Sequence, residues 1–359
     1  MAEFKFNTAK LASLTLAAID AAVSAKAEDG FRAHLGASQI GKKCERALWY
    51  SFRWATHVTH DPRILRLFKR GQDEEQNLTD MLRNAGATVY QVDHSTGKQY
   101  TFAACGGHFG GSMDGAAIGL PDAPKKWHVV EYKTHSKKSF DALEASGVKN
   151  SKPEHWAQMQ CYMHWTEMTR ALYMSVCKDD DRLYLERVDY DKDEAEKLLT
   201  KAQRIINADQ PPERIGDSTW FECKFCDHHA VCHTDTAPAV NCRTCAHSTP
   251  EPDGRWTCSC GTDHALVSLP VAHQKEGCDM HRYIPPMIHW ADVTEANQEA
   301  NWVTYKMING GGVFTNGDRP KGYSSKEIFV CKDKMALPAL MNDTFAMQMR
   351  EQFNAEVVA

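Results

Sequence analysis

Residues 127–135 read Trp-His-Val-Val-Glu-Tyr-Lys-Thr-His, "WHVVEYKTH". Val129 and Val130 indicate a buried β-strand. Side chains two apart on a strand share a face, so Glu131 and Lys133 project together. Desolvated charges are costly unless paired or ligated, so charges on such a strand need a reason. Upstream, Asp114 ends the Gly-rich stretch "GGHFGGSMD". If its strand adjoins the 127–135 strand, the carboxylates of Asp114 and Glu131 stand side by side.

Two such carboxylates supply hard oxygen ligands for Mg²⁺ or Mn²⁺, and the carbonyl of Tyr132 would add another. A bound divalent cation lowers the pKa of water and clamps developing charge, and an adjacent lysine can orient or deprotonate that water. The combination suits phosphodiester hydrolysis. Glu-x-Lys is common on solvated strands, where such pairs contribute little, so the motif alone is weak.

Working outward, "PEHWAQMQCYMHWTEM" (153–168) reads as a helix with Pro153 in its first turn. "RALYMSVC" (170–177) and "RLYLERVDY" (182–190) alternate like strands, as do "ATVYQV" (87–92) and the segment around Asp114. "ILRLFKRGQDEEQNLTDMLRNAG" (64–86) predicts an amphipathic helix ending near Gly86. "LGASQIGKKCERALWYSF" (35–52) predicts a helix capped at Ser38, with Ile40, Cys44, Leu48 and Phe52 on one side. "KDEAEKLLTKAQRIINAD" (192–209) is a further amphipathic helix. These elements predict one mixed α/β domain over residues 31–235, after a helical lead-in at 1–30. "DTAPAV" (235–240) reads as a linker. Residues 240–285 form a cysteine-rich module too small to fold without metal. Residues 286–359 form a mixed α/β tail with a glycine run, "INGGGVF", and an apolar helical end, "ALPALMNDTFAMQMREQF".

The chain has 359 residues, a net charge of −5, 42% hydrophobic and 25% charged residues. With a pI near 6.4 there is no global attraction to nucleic acid, so any DNA contact needs a local basic groove. No stretch is long and apolar enough to span a membrane. Residues 11–27 superficially resemble a signal peptide, but Asp20 interrupts them. Leu11, Leu14, Leu16, Ile19 and Val23 follow helical spacing, so an amphipathic cytosolic helix is expected. The 13 cysteines are odd in number and include Cys-x-x-Cys pairs. With no convincing secretion signal, a cytoplasmic location is expected and metal binding is favoured over disulfides.

The order of these motifs resembles the PD-(D/E)XK nuclease superfamily over residues 36–235, and more narrowly its RecB/AddB-like iron–sulfur branch, which includes phage recombination exonucleases. The resemblance implies a restriction-endonuclease-like mixed sheet. It makes Asp114, Glu131 and Lys133 the catalytic core. In "RGQDEE", Glu75 matches the metal-binding glutamate of a Gly-x-x-x-Glu element, with Glu74 as its rival; Gln72 stands where many members carry histidine. Gln158 and Tyr162 match a Gln-x-x-x-Tyr element that supports the active site and contacts DNA, with Gln160 a possible substitute. In "SQIGKKCERALWY", Ser38 and Arg46 fall where DNA is met, Arg46 at a phosphate. Cys44, Cys223, Cys226 and Cys232 match one early cysteine and a late triplet that hold a [4Fe–4S] cluster; zinc is the other metal four thiolates suit.

Beyond that resemblance, Cys242, Cys245, Cys258 and Cys278 are the expected ligands of a structural Zn²⁺, with Cys260 and His281 as rivals. Trp256, Arg243, Arg255 and Arg282 are compatible with a DNA surface there. His228, His229 and His233 read as solvated loop residues, His108 as packing, and His128 and His135 as lying outside the active site. The function expected is a metal-dependent exonuclease acting on DNA ends in phage-type recombination or repair. A single-strand annealing or single-strand-binding protein is a conceivable partner. A structure-specific or CRISPR-adaptation-type endonuclease and a non-catalytic DNA-binding module are the alternatives. No Gly-x-x-x-x-Gly-Lys phosphate loop is present, so no motor is expected.

Overall fold

The computed structural model describes residues 8–27, 30–260, 267–308, 310, 312–318, 320–332 and 352. The chain divides into two compact units. The first comprises Met1–Phe31, Val58–Phe102 and Ser112–Lys192. Its centre is a five-stranded sheet of β1 (Thr88–Tyr90), β2 (Gly115–Ile118), β3 (His128–His135), β4 (Arg170–Cys177) and β5 (Leu183–Asp189), adjacent in that order. Neighbouring strands are antiparallel except β3 and β4, which run parallel. A parallel pair needs a crossover, supplied here by helices α3 (Lys137–Ser151) and α4 (Pro153–Thr166). Helices α1 (Thr8–Ser24) and α2 (Pro62–Asn84) complete the unit.

The alternation of β3 sorts its side chains. Val130 and Tyr132 join Leu78 and Leu82 of α2 and Leu172, Met174 and Val176 of β4 in one apolar cluster. Thr79 of α2 donates its hydroxyl proton to the Tyr132 phenol oxygen at 3.0 Å. Glu131, Lys133 and His135 therefore occupy the opposite face. All residues of β4 after Arg170 are buried, as expected for a central strand covered on both faces. In α1, by contrast, Leu14, Leu16 and Ile19 are exposed, and Asp20 pairs with Arg66 of α2.

The second unit comprises Arg32–His57, Ala103–Gly111 and Asp193–Ala359. The helix expected from Ser38 starts later, at Glu45, and runs to Phe52 with Cys44 as its N-cap. The segment before it makes successive turns, with Gln39, Ile40 and Lys42 each donating a backbone N–H three residues back; Ser38 instead accepts from Arg32. Helix Lys192–Asn207 is anchored to this region by Lys201, whose ammonium donates to the carbonyls of Ile40 at 2.8 Å and Lys42 at 2.6 Å. Two three-stranded sheets follow, one of Ser248–Pro250, Trp256–Cys258 and Val267–Ser268, the other of Ala291–Asn297, Trp302–Met307 and Val313–Asn316. Of the glycine run, Gly310 and Gly312 are described, between the last two strands; the apolar stretch at 336–353 lies outside the described residues, Gln352 excepted.

The DNA surface anticipated at the cysteine-rich module is largely buried. Arg243 and Arg282 are 1% exposed and Trp256 2%. Arg243 donates to the carbonyls of Phe52 and Ala33 and to Gln274. Arg282 donates to the carbonyls of Asn301, Asp279 and His281. Guanidiniums spent on internal carbonyls are not available to phosphate. Arg255 alone of the four stays outside, paired with Asp253.

Candidate active site and cysteine clusters

The register of β2 and β3 pairs Gly115 with Val130, which carries Asp114 to the position opposite Glu131. Directly opposed side chains on one face are neighbours. The Asp114 carboxylate accepts the Tyr132 N–H at 2.9 Å. Lys133 donates its ammonium to Glu131 and to the Tyr132 carbonyl, the latter at 3.0 Å, and stands 4.0 Å from Asp114 Oδ2. One ammonium thus bridges both acids and the carbonyl singled out as a ligand.

Glu75 comes from α2, one turn before Thr79, on the side that touches β3; a Cβ on Gly71, one turn earlier again, would lie 4.0 Å from Thr134 Oγ1. Burial, then the nearby Asp114 carboxylate, pushes the Glu75 carboxyl up to about 7 against the pull of Lys133. Glu74, its rival, accepts a hydrogen bond from Asn77. Glu131 is fully buried, and burial with Asp114 beside it raises its carboxyl to about 8 despite Lys133. Burial works against the Lys133 charge, but Glu131 and Asp114 overcome it and hold the ammonium above its ordinary range.

Two acids therefore pair with one ammonium, with Glu75 within electrostatic reach, and Glu131 Oε2 is buried with no hydrogen-bond partner among the described residues. An orphaned carboxylate oxygen among crowded acids fits a divalent cation, both in charge and in donor chemistry. Among the described residues no three His, Cys, Asp or Glu side chains stand ready to coordinate a metal; here the Lys133 ammonium engages the acids instead.

Helix α4 covers this face. Tyr162 donates its hydroxyl proton to the Ser112 carbonyl at 2.7 Å, and the Gln158 amide approaches the Tyr162 oxygen at 3.4 Å. Burial, followed by the Glu131 carboxylate, raises the Tyr162 phenol. Gln160 points elsewhere: it donates to the Asp189 carbonyl at 3.1 Å and accepts the Asp191 N–H at 2.8 Å, tying α4 to the end of β5. The two glutamines therefore face different partners, Gln158 the Tyr162 hydroxyl and Gln160 the end of β5.

In the second unit, Arg46 donates to the Pro212 carbonyl at 2.9 Å and lies over the Tyr50 ring; the structure engages it internally. None of the 13 cysteines forms a disulfide among the described residues. Burial and then the neighbouring Cys44 and Cys232 raise the Cys223 thiol, and Cys44 acts likewise on Cys226. The early cysteine and the late triplet are thus electrostatic neighbours. Cys242 rises to about 11 and Cys245 to about 12, through burial together with Cys258 and Cys278. Cys260 feels the same two thiols. His281 is buried and bonds Thr244 Oγ1 through Nε2 at 3.1 Å. His228, expected in solvent, is 5% exposed and bonds Ser51 at 2.8 Å and Thr56 at 3.1 Å. His108 bonds the Glu251 carbonyl at 2.9 Å in a packing role.

Two residues near the acids escaped the sequence reading. Tyr173 pairs with Glu131 in the β3–β4 register. His155 precedes Gln158 by three residues on α4, a spacing that shares a helix face and was its one available signal.

The model of the PD-(D/E)XK nuclease superfamily matches residues 9–233. The chain belongs to that superfamily. Among solved structures, LHK-Exo, an alkaline exonuclease from Laribacter hongkongensis, is similar at 19% identity, both by itself and in a complex with dAMP. Each of those matches covers 53% of this chain and 90% of that one, with a TM-score of 0.34. A third structure, of SSO0001, is 15% identical and covers 62% of this chain and 96% of its own, with a TM-score of 0.35. No curated protein matches.

Proposed function

We propose that the chain is a divalent-metal-dependent deoxyribonuclease that hydrolyses phosphodiester bonds at DNA ends, serving phage-type recombination or repair in a bacterial cytoplasm. The observation that carries this reading is the convergence of Asp114 and Glu131 on Lys133, with Glu75 within electrostatic reach. Glu75, Asp114, Glu131 and the Tyr132 carbonyl would hold Mg²⁺ or Mn²⁺. Such an ion supplies a water of lowered pKa and stabilises charge on the phosphate oxygens. Lys133 orients the attacking water and offsets negative charge as it develops. Gln158 and Tyr162 hold the covering helix in place, fixing the distance between DNA and the acids.

The same reading places the chain in the RecB/AddB-like iron–sulfur branch. Cys44, Cys223, Cys226 and Cys232 would ligate a structural [4Fe–4S] cluster, stapling the two ends of a nuclease domain spanning residues 31–235. Cys242, Cys245, Cys258 and Cys278 would hold a closed Zn²⁺ site in a module over 240–285. DNA is the principal partner, with a single-strand annealing or single-strand-binding protein as a further one. The deciding experiment is a time course with anaerobically purified protein, Mg²⁺ or Mn²⁺, and end-labelled linear duplex beside closed-circular DNA. Progressive loss of linear DNA alone supports an exonuclease. Cutting of circles would make it an endonuclease, and binding without cleavage would remove the catalytic reading.

A further inference from the structure

On the face that carries Glu131 and Lys133, four side chains form a continuous hydrogen-bond chain. Ser139 Oγ lies 3.3 Å from His135 Nδ1, His135 Nε2 lies 2.8 Å from the Tyr173 hydroxyl, and that hydroxyl lies 2.9 Å from His155 Nδ1. The two imidazoles stack at 5.8 Å between centroids, and both lie near-parallel to the Tyr173 ring. Ser139, His135 and Tyr173 are spent on the chain. His155 is only partly buried, and among the described residues its hydrogen bond is made through Nδ1, which leaves Nε2 available.

The place of His155 is set by α4. It shares a face with Gln158 and Tyr162, at i, i+3 and i+7, and that face covers the acids. After burial, the Lys133 ammonium bears most on its ring; Lys133, Lys152 and Lys178 all bear on His135. Burial and these ammoniums hold His155 down to about 3 and His135 to about 4, so both are neutral at physiological pH.

We propose that His155 is a substrate-contacting residue: its Nε2–H donates to a non-bridging oxygen of the DNA phosphodiester lying beside Lys133. The proposal rests on the nuclease reading and deepens it. Each member of the chain has one proton and one acceptor to share, so the chain runs in either of two directions. An unprotonated phosphate oxygen selects one of them: Ser139 donates to His135 Nδ1, His135 Nε2 to the Tyr173 oxygen, and Tyr173 to His155 Nδ1. The proton of His155 is then on Nε2, facing the phosphate. Tyr173 and His135 are positioning residues that fix the tautomer and the plane of the ring. A neutral donor beside an ammonium adds direction without adding charge, which the lysines already supply.

The test compares wild type with His155→Ala, His155→Gln, Tyr173→Phe and Lys152→Ala. Cleavage of end-labelled duplex is followed with Mn²⁺. Binding of fluorescein-labelled duplex is followed by anisotropy with Ca²⁺ across a salt series. His155→Ala is expected to lose about tenfold or more in kcat/KM, with His155→Gln, which keeps an N–H donor, recovering part of it. Tyr173→Phe should show a smaller loss of the same kind. The salt slope of binding should be unchanged in His155→Ala, since a neutral imidazole releases no counterion; Lys152→Ala, at a lysine whose charge reaches the His155 ring, is the charge-removing comparison. Near-wild-type cleavage by His155→Ala and Tyr173→Phe, while Asp114→Ala is dead, would overturn the His155 contact and leave the nuclease reading standing. A wild type that binds DNA without cutting it would overturn the nuclease reading. His155 would then be judged on binding alone, and equal affinity in His155→Ala would overturn it too.

Discussion

Asp114 stands across the antiparallel ladder of β2 and β3 from Glu131, and the Lys133 ammonium reaches both. Their closeness follows from register: a slip of one residue would send one carboxylate to the opposite face of the sheet. The pair is therefore as rigid as the strands that carry it.

If those acids and the lysine do the chemistry, Asp114→Ala and Lys133→Ala each lower DNA hydrolysis by roughly a hundredfold or more, while far-UV circular dichroism and iron content stay as in wild type. Release of labelled nucleotides from duplex DNA measures this. Hydrolysis within a factor of a few of wild type in either variant would sink the assignment.

The two glutamines of α4 should separate cleanly. Gln160→Ala removes bonds to the Asp189 carbonyl and the Asp191 N–H, and is expected to destabilise the fold by about 1–3 kcal/mol with kcat little changed. Gln158→Ala should do the reverse. Urea denaturation and steady-state rates on the same preparations test this, and a catalytic defect confined to Gln160→Ala would contradict it.

Crowding of the acids has a pH signature. The Glu131 carboxyl is raised to about 8 by burial, from an ordinary value near 4.5. Between those values the folded state binds more protons than the unfolded state, so stability falls as pH rises through that window. Relative to Glu131→Gln, wild type in EDTA should lose up to about 1.4 kcal/mol per pH unit from pH 5 to pH 8. The subtraction cancels the histidines, which titrate with the opposite sign. Mn²⁺ should flatten the difference. A pH-independent difference in EDTA would show that Glu131 is not held protonated.

Metal analysis distinguishes the cysteine sets. Anaerobic protein should carry iron and sulfide with visible absorbance, lost in Cys223→Ser and Cys226→Ser with zinc retained. Cys242→Ser and Cys245→Ser should lose zinc with iron retained. Zinc in both sets and no visible chromophore would exclude the iron–sulfur cluster.

How much was readable beforehand differs by element. Helices α2 and α4 and strands β3 and β4 lie close to where periodicity and flanking turn residues put them, because local spacing alone fixes which face is apolar. The helix before Phe52 was placed too early: Ser38 is a good cap by type, but Gly41 and the turns around it delay the helix until Cys44. The arginines of the cysteine-rich module looked like DNA contacts because sequence gives charge but not burial.

The amino-acid order by itself determined the α/β class, the Glu131–Lys133 pairing on one strand face and the candidate acids, since these depend on a two-residue period and on residue chemistry. Only the tertiary structure decided that Asp114 faces Glu131, that Gln158 bonds Tyr162 while Gln160 bonds the end of β5, and that Tyr173 links His135 to His155. Strand register and the packing angle of a helix are set by contacts between residues far apart in the chain, and no local pattern encodes them.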